Sequence, residues 1–144
     1  MSSDLQWLLI RKYNSFMVKK VPEGPVFSRE AGNLPNLHSY KYSGLANAKT
    51  IAVTDTGSNI QLSYSKKGAS PNAVKPAKAT YSIRSRSGPR RSLGAAAKLS
   101  KRGYRPDLRP VLLARVSALS ATKKEPKSWP AKKPRGKKAK AATA

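Results

Sequence analysis

The chain has no cysteine, a single histidine and only six acidic residues among 144. Without cysteine there are no disulfides and no thiolate metal sites. His38, between Leu37 and Ser39 in an expected loop or strand edge, has only scattered carboxylates to work with. That set gives no triad, no acid/base pair and no metal cluster. No Walker loop or dinucleotide fingerprint is present. The expectation is a non-enzymatic protein with no metal, no cofactor and no small-molecule substrate. The longest apolar run is Trp7-Leu8-Leu9-Ile10, far short of the roughly 20 residues that cross a bilayer. The N-terminus carries Asp4 and lacks a basic region followed by a long apolar stretch, so no secretory signal is expected. A soluble intracellular protein with no membrane partner is the reading. The hydrophobic fraction of 38% lies below the globular norm of roughly 45–50%, which predicts a core in part of the chain only.

What is abundant is positive charge. Thirty Lys and Arg against six Asp and Glu leave a formal net charge of +24. A chain with that field repels itself and seeks polyanions. The charge is unevenly placed. Residues 1–60 carry seven basic and four acidic groups, whereas residues 61–144 carry twenty-three and two. A nearly neutral front half is expected to fold alone, and the back half needs counter-charge.

The front half reads as a small α+β unit. Ser3 and Gln6 have capping-box spacing, and Asp4 sits where the helix dipole favours an anion. Leu5, Leu8 and Leu9 follow as a helical stripe, with Asn14 as a stop. Ser15 to Val21 reads as a strand ended by Pro22, Val26 to Ser28 as a second, and Ser39 to Ser43 as a third. Two period-2 runs, through Ile51 and Val53 and through Ile60, Leu62 and Tyr64, flank the polar turn Asp55-Thr56-Gly57-Ser58-Asn59. That pattern predicts a β-hairpin.

The back half changes character at Lys66-Lys67. Residues 66–92 mix Lys, Ser, Pro, Ala and Arg without apolar periodicity and read as extended. Leu93 to Lys101 is Ala-rich and predicts a short helix ended by Gly103. A second helix follows, with Asp107 as expected N-cap, Pro110 in the first turn, and a stripe of Leu108, Leu112, Val116 and Leu119. From Lys123 the chain is Lys, Ala and Pro with little to bury and is expected to be disordered when free. The fold class is therefore α+β. A small, mostly antiparallel sheet with an N-terminal helix precedes a basic extended segment, one or two helices and a tail. Four segments result: a domain at 1–65, the extended segment at 66–92, a helical RNA-binding extension at 93–122, and the tail at 123–144.

The residue types separate two kinds of contact. Residues 66–122 hold eight Arg and six Lys, while residues 123–144 hold one Arg and eight Lys. Guanidinium grips phosphate as a planar fork, whereas ammonium is a hydrated point charge. The candidate RNA-binding residues are Lys66, Lys67, Lys75, Lys78, Arg84, Arg86, Arg90, Arg91, Lys98, Lys101, Arg102, Arg105, Arg109, Arg115, Lys123 and Lys124. Of these, Arg105, Arg109 and Arg115 are expected to be fixed contacts on the second helix. Tyr81, Tyr104 and Trp129 are interleaved with the charge and are candidates for base stacking. The alternative for Tyr81 and Tyr104 is that each anchors its segment to the protein's own core. Lys132 to Lys138 resembles a nuclear-import cluster, which any basic tail offers.

Longer strings narrow the reading. Leu5-Gln6-Trp7-Leu8-Leu9-Ile10-Arg11, Ser15-Phe16-Met17-Val18-Lys19-Lys20, Phe27-Ser28-Arg29-Glu30, Asn33-Leu34 and Tyr42 to Thr50 resemble the eukaryote-specific family of large-ribosomal-subunit proteins numbered twenty-eight. Tyr104-Arg105-Pro106-Asp107-Leu108-Arg109 and Ala114 to Ala118 resemble its C-terminal helical signature. The resemblance covers about 1–64 and 104–120 well, and 65–103 loosely. It implies a small α+β domain with helical extensions lying on large-subunit ribosomal RNA beside neighbouring ribosomal proteins. The implied location is the cytoplasmic ribosome, reached through the nucleus and nucleolus. A nucleolar assembly factor, similar over the N-terminal domain, is the alternative. A linker-histone-like chromatin protein, suggested by the tail alone, would begin with several helices rather than one.

Overall fold

The structure, a computed structural model, describes residues 2–70, 73–101, 103–125 and 128–130. The protein is α+β. Helix α1 spans Ser3–Ile10, and short strands β1 (Met17–Val18) and β2 (Phe27–Ser28) pair antiparallel. Strands β3 (Ile51–Asp55), β4 (Asn59–Ser65) and β5 (Lys78–Arg84) form a second antiparallel sheet in that order. Helix α2 (Pro89–Lys101), a 3₁₀ turn (Pro106–Leu108) and helix α3 (Arg109–Thr122) complete it.

The expected hairpin is β3–β4, with Val53 opposite Leu62 and Ile51 opposite Tyr64. Period-2 alternation puts Ile51, Val53, Ile60, Leu62 and Ile83 on one face of the sheet. These side chains meet Ala96 of α2, Leu108, and Leu112 and Val116 of α3, all buried in one cluster with Leu34. The stripe Leu108, Leu112 and Val116 is thus the face that α3 lays on the sheet.

Several elements differ from the sequence reading. Residues 66–92 are not one extended segment: residues 74–77 form a turn, Lys78–Arg84 is a strand paired with β4 over its whole length, Ile83 opposite Ile60 and Tyr81 opposite Leu62, and Pro89 opens α2. The signal was faint because β5 is an edge strand with one deeply buried residue, Ile83. α2 begins at Pro89, four residues before the expected Leu93, with proline at the first helical position where its missing N–H costs nothing. Gly103 at φ +71° follows its end, the left-handed position expected there.

At the N-terminus, Ser2 rather than Ser3 caps α1, its Oγ accepting from the Leu5 N–H at 3.3 Å. Asn14 does stop the helix. Its Nδ2 donates to the Ile10 carbonyl at 3.1 Å while its Oδ1 accepts from the Phe16 N–H at 2.9 Å. Only Met17–Val18 of the expected strand 15–21 is paired.

Ser39 to Ser43 is turn, not strand, and the reason is a buried carboxylate. Glu30 Oε1 accepts from Asn33 Nδ2 at 2.9 Å, and Oε2 accepts from Ser43 Oγ at 3.0 Å. The Ser43 Oγ in turn accepts from the Leu45 and Ala46 N–H groups. Buried polar atoms need such partners, so residues 28–47 fold around Glu30 instead of pairing as a ladder. Gly44 sits against Ala31, where a Cβ would lie 2.0 Å from the Ala31 carbonyl oxygen.

Candidate nucleic-acid interface

β5 is an outer strand of its sheet, opposite β3, and the chain on either side of it carries most of the candidate cations. Lys66, Lys67 and Lys75 lie in the β4–β5 connection, which the Lys66 N–H closes onto the Ala77 carbonyl at 2.8 Å. Alternation along β5 sends Lys78 and Arg84 to the face away from the helices. Arg86 occupies the following turn, and Arg90 and Arg91 open α2. These three arginines and Gly88 line one concave basin. Lys98 follows two turns along α2. All nine side chains, from Lys66 to Lys98, are exposed, and none forms an ion pair among the described residues.

The reason is compositional. Only Asp107 and Glu125 are acidic after residue 60, and Asp107 is already paired with Arg105 at 2.8 Å. Nine uncompensated cations along one edge make a surface whose complement is a polyanion.

Other candidates serve the fold. Arg105 Nε and one Nη bond both carboxylate oxygens of Asp107, while its Nη atoms also reach the Lys49 and Lys41 carbonyls at 2.9 and 2.8 Å. Four of its five donors are engaged internally. Asp107 therefore does not cap α3, whose N-cap, Leu108, makes no side-chain cap bond. Its carboxyl is held below the usual carboxylate range, first by the hydrogen bond from Arg105. Lys123 bonds Asp55 at 2.6 Å and the Gly57 carbonyl at 2.9 Å. Arg109 and Lys124 are exposed and Arg115 is half-buried. Arg102, the side chain of Lys101 and residues 131–144 lie outside the described residues.

The aromatics divide in the same way. The Tyr104 hydroxyl donates to the Ser65 carbonyl at 2.6 Å, and its ring stands edge-on to Tyr64 at 5.8 Å. Burial pushes this hydroxyl's pKa above the usual 10.0, against its hydrogen bonds to Ser65 and Thr50. Tyr104 is a core anchor. Tyr81 keeps 53% of its surface exposed and Trp129 keeps 93%. His38 is structural: its Nε2 lies 2.9 Å from the Arg11 carbonyl oxygen and its ring 4.9 Å from Trp7.

One surface was not foreseen. α1 turns Trp7 toward His38 and Tyr40, and the Tyr40 hydroxyl donates to Asp4 at 2.7 Å. Its leucines consequently face outward: Leu5, Leu8 and Leu9 are all exposed, Leu9 at 67%. A stripe at i, i+3 and i+4 ordinarily signals a buried face, so the pattern alone does not say which side is covered.

Residues 5–122 match the model of the ribosomal L28e protein family. The chain belongs to that family. The L28e match runs from α1 to the end of α3, including the stretch 65–103 where the resemblance in sequence was loose. Among L28e relatives, large ribosomal subunit protein eL28 of Dictyostelium discoideum is 36% identical over 130 residues, covering 86% of this chain and 93% of the relative. The protein of the same name from Schizosaccharomyces pombe is 32% identical over 130 residues, with 88% and 96% coverage. That of Caenorhabditis elegans is 37% identical over 75 residues, covering 51% of this chain and 60% of the relative. Among the described residues, no helix of this L28e protein is long and apolar enough to cross a membrane.

Proposed function

We propose that the protein is a structural constituent of the large subunit of the eukaryotic cytosolic ribosome, where it binds ribosomal RNA and offsets phosphate repulsion. The observation that carries this is the row of nine exposed cations from Lys66 to Lys98, through the β4–β5 connection, β5 and α2, none of them ion-paired among the described residues. Membership of a family whose relatives are named as large-subunit proteins supports it. Contacts of this kind go mainly to phosphate, which positions the protein on folded RNA without reading sequence. The arginines around the β5–α2 turn offer bidentate grips, and the lysines that follow Lys123, which is itself held by Asp55, add diffuse neutralisation. No step of catalysis belongs to this role.

The uncharged leucines of α1 fit a different neighbour. Phosphate offers them nothing, so the contact they favour is an apolar patch on an adjacent ribosomal protein. The protein works in the cytoplasm after joining its particle in the nucleus and nucleolus.

Gradient sedimentation of a tagged copy tests the role. Co-migration with mature large subunits and polysomes is the expected result. Confinement to nuclear pre-ribosomal fractions would make it an assembly factor instead, and absence from both would end the ribosomal reading.

A further inference from the structure

The two-layer sandwich of sheet and helices has a gap. Where α2 passes over β4 and β5, Leu62, Tyr64, Tyr81, Ala95, Lys98 and Leu99 line an open notch of about 190 Å³. The gap arises from sequence. Gly94-Ala95-Ala96-Ala97 gives α2 almost no side-chain reach in that turn. Leu62 forms the floor and is fully buried, whereas its cross-strand partner Tyr81 remains half-exposed as a wall. The back wall is fixed: Tyr64 stacks edge-on against Tyr104, whose hydroxyl is tied to the Ser65 carbonyl. The notch is therefore preformed, with one free aromatic face, an apolar floor, a cation at the rim and no carboxylate in its lining.

We propose that this notch takes one unpaired base of RNA, stacked on Tyr81, while Lys98 meets an adjoining phosphate. This rests on the RNA-binding reading above. At about 190 Å³ the notch slightly exceeds an apolar cavity of roughly 150 Å³ that takes a benzene ring, room for one flat heterocycle and too little for a helix or strand. Bases splayed out of RNA loops and bulges are held by such aromatic walls. Charge selects the occupant. Lys98 lies in the lining and no carboxylate does, so an anion bearing an exposed ring fits. A neutral apolar side chain would leave Lys98 without a partner.

The experiment uses the full chain with two RNA probes of equal phosphate number. One is a single-stranded oligoadenylate carrying 2-aminopurine at its centre, and the other is a fully paired duplex. Wild type and Tyr81→Phe are expected to quench the 2-aminopurine fluorescence. Tyr81→Leu is expected to abolish the quench and weaken single-strand binding roughly 5- to 150-fold. Duplex binding by that variant should be unchanged, with a melting curve like wild type. Lys98→Gln should weaken single-strand binding while keeping the quench. Equal quenching and affinity for wild type and Tyr81→Leu would overturn the proposal while leaving phosphate binding intact. Failure of the wild type to bind either probe would defeat the RNA reading itself. Ultraviolet crosslinking in isolated large subunits that joined Tyr81 to a protein rather than a nucleotide would also overturn it.

Discussion

Lys123 Nζ stands 2.6 Å from Asp55 Oδ1, which ties the end of α3 to the tip of the β3–β4 hairpin. The Gly57 carbonyl accepts from the same ammonium, and the Gly57 N–H donates to Asp55 at 2.8 Å. At the other end of α3, Arg105 holds the Lys41 and Lys49 carbonyls together with Asp107. The helix that completes the core is thus clamped at both ends by cations.

The hairpin clamp has a pH signature. The hydrogen bond from Lys123, then the Gly57 N–H, hold the Asp55 carboxyl below its usual 3.8. A depressed folded pKa contributes stability that is complete above the unfolded value and lost as pH falls through the folded one. Asp55→Asn should therefore melt below wild type at neutral pH. The difference should shrink in acid, as read by circular dichroism melts across the range. A constant difference would place the effect elsewhere.

Arg105 and Arg109 are expected to separate fold from binding. Arg105→Lys loses the planar fork that serves two carbonyls and a carboxylate and should cost about 2 kcal/mol of stability. Its effect on the salt dependence of RNA binding should be small. Arg109→Lys, on an exposed side chain, should leave the melting temperature unchanged. Urea titrations, thermal melts and RNA binding across a salt series on both variants give the comparison.

Gly44→Ala tests the buried loop. The added methyl would meet the Ala31 carbonyl oxygen, a backbone atom that cannot swing aside. A destabilisation of about 1–3 kcal/mol is expected, together with loss of protection of the Leu45 and Ala46 amides in hydrogen exchange. An unchanged exchange pattern would contradict the packing described.

The core crosses the boundary at residue 65 that composition suggested. Ile83, Ala96, Leu108, Leu112 and Val116 cover Ile51, Val53, Ile60 and Leu62. A fragment of residues 1–65 should therefore fail to give a cooperative melt, whereas residues 1–125 should melt like the full chain. A cooperative 1–65 fragment would restore the front half as an independent unit.

What the sequence disclosed follows where a local rule decided the outcome. The β3–β4 hairpin, the Asn14 stop, Pro110 in the first turn of α3, Gly103 after α2 and the stripe through Leu108, Leu112 and Val116 are each set by near neighbours. The misreadings came from long-range partners. β5 was hidden because its alternation, Ala79, Tyr81 and Ile83 against Lys78, Thr80, Ser82 and Arg84, is masked by small and charged residues. Asp107 looked like a cap until Arg105 took both its oxygens. Ser39 to Ser43 looked like a strand because nothing nearby announces that Glu30 is buried against Ser43. The charge asymmetry was plain in the sequence. Which cations lack partners was not, since that depends on where the few carboxylates land.

The salt dependence of RNA binding tests the central claim most directly. Affinity of the full chain for ribosomal RNA should fall linearly on a log–log salt plot as counterions are released. Replacing Arg86, Arg90 and Arg91 together by Gln should reduce that slope by roughly 2 to 3, with no change in melting temperature. A triple variant with the wild-type slope would contradict the assignment of the β5–α2 edge as the RNA-binding surface.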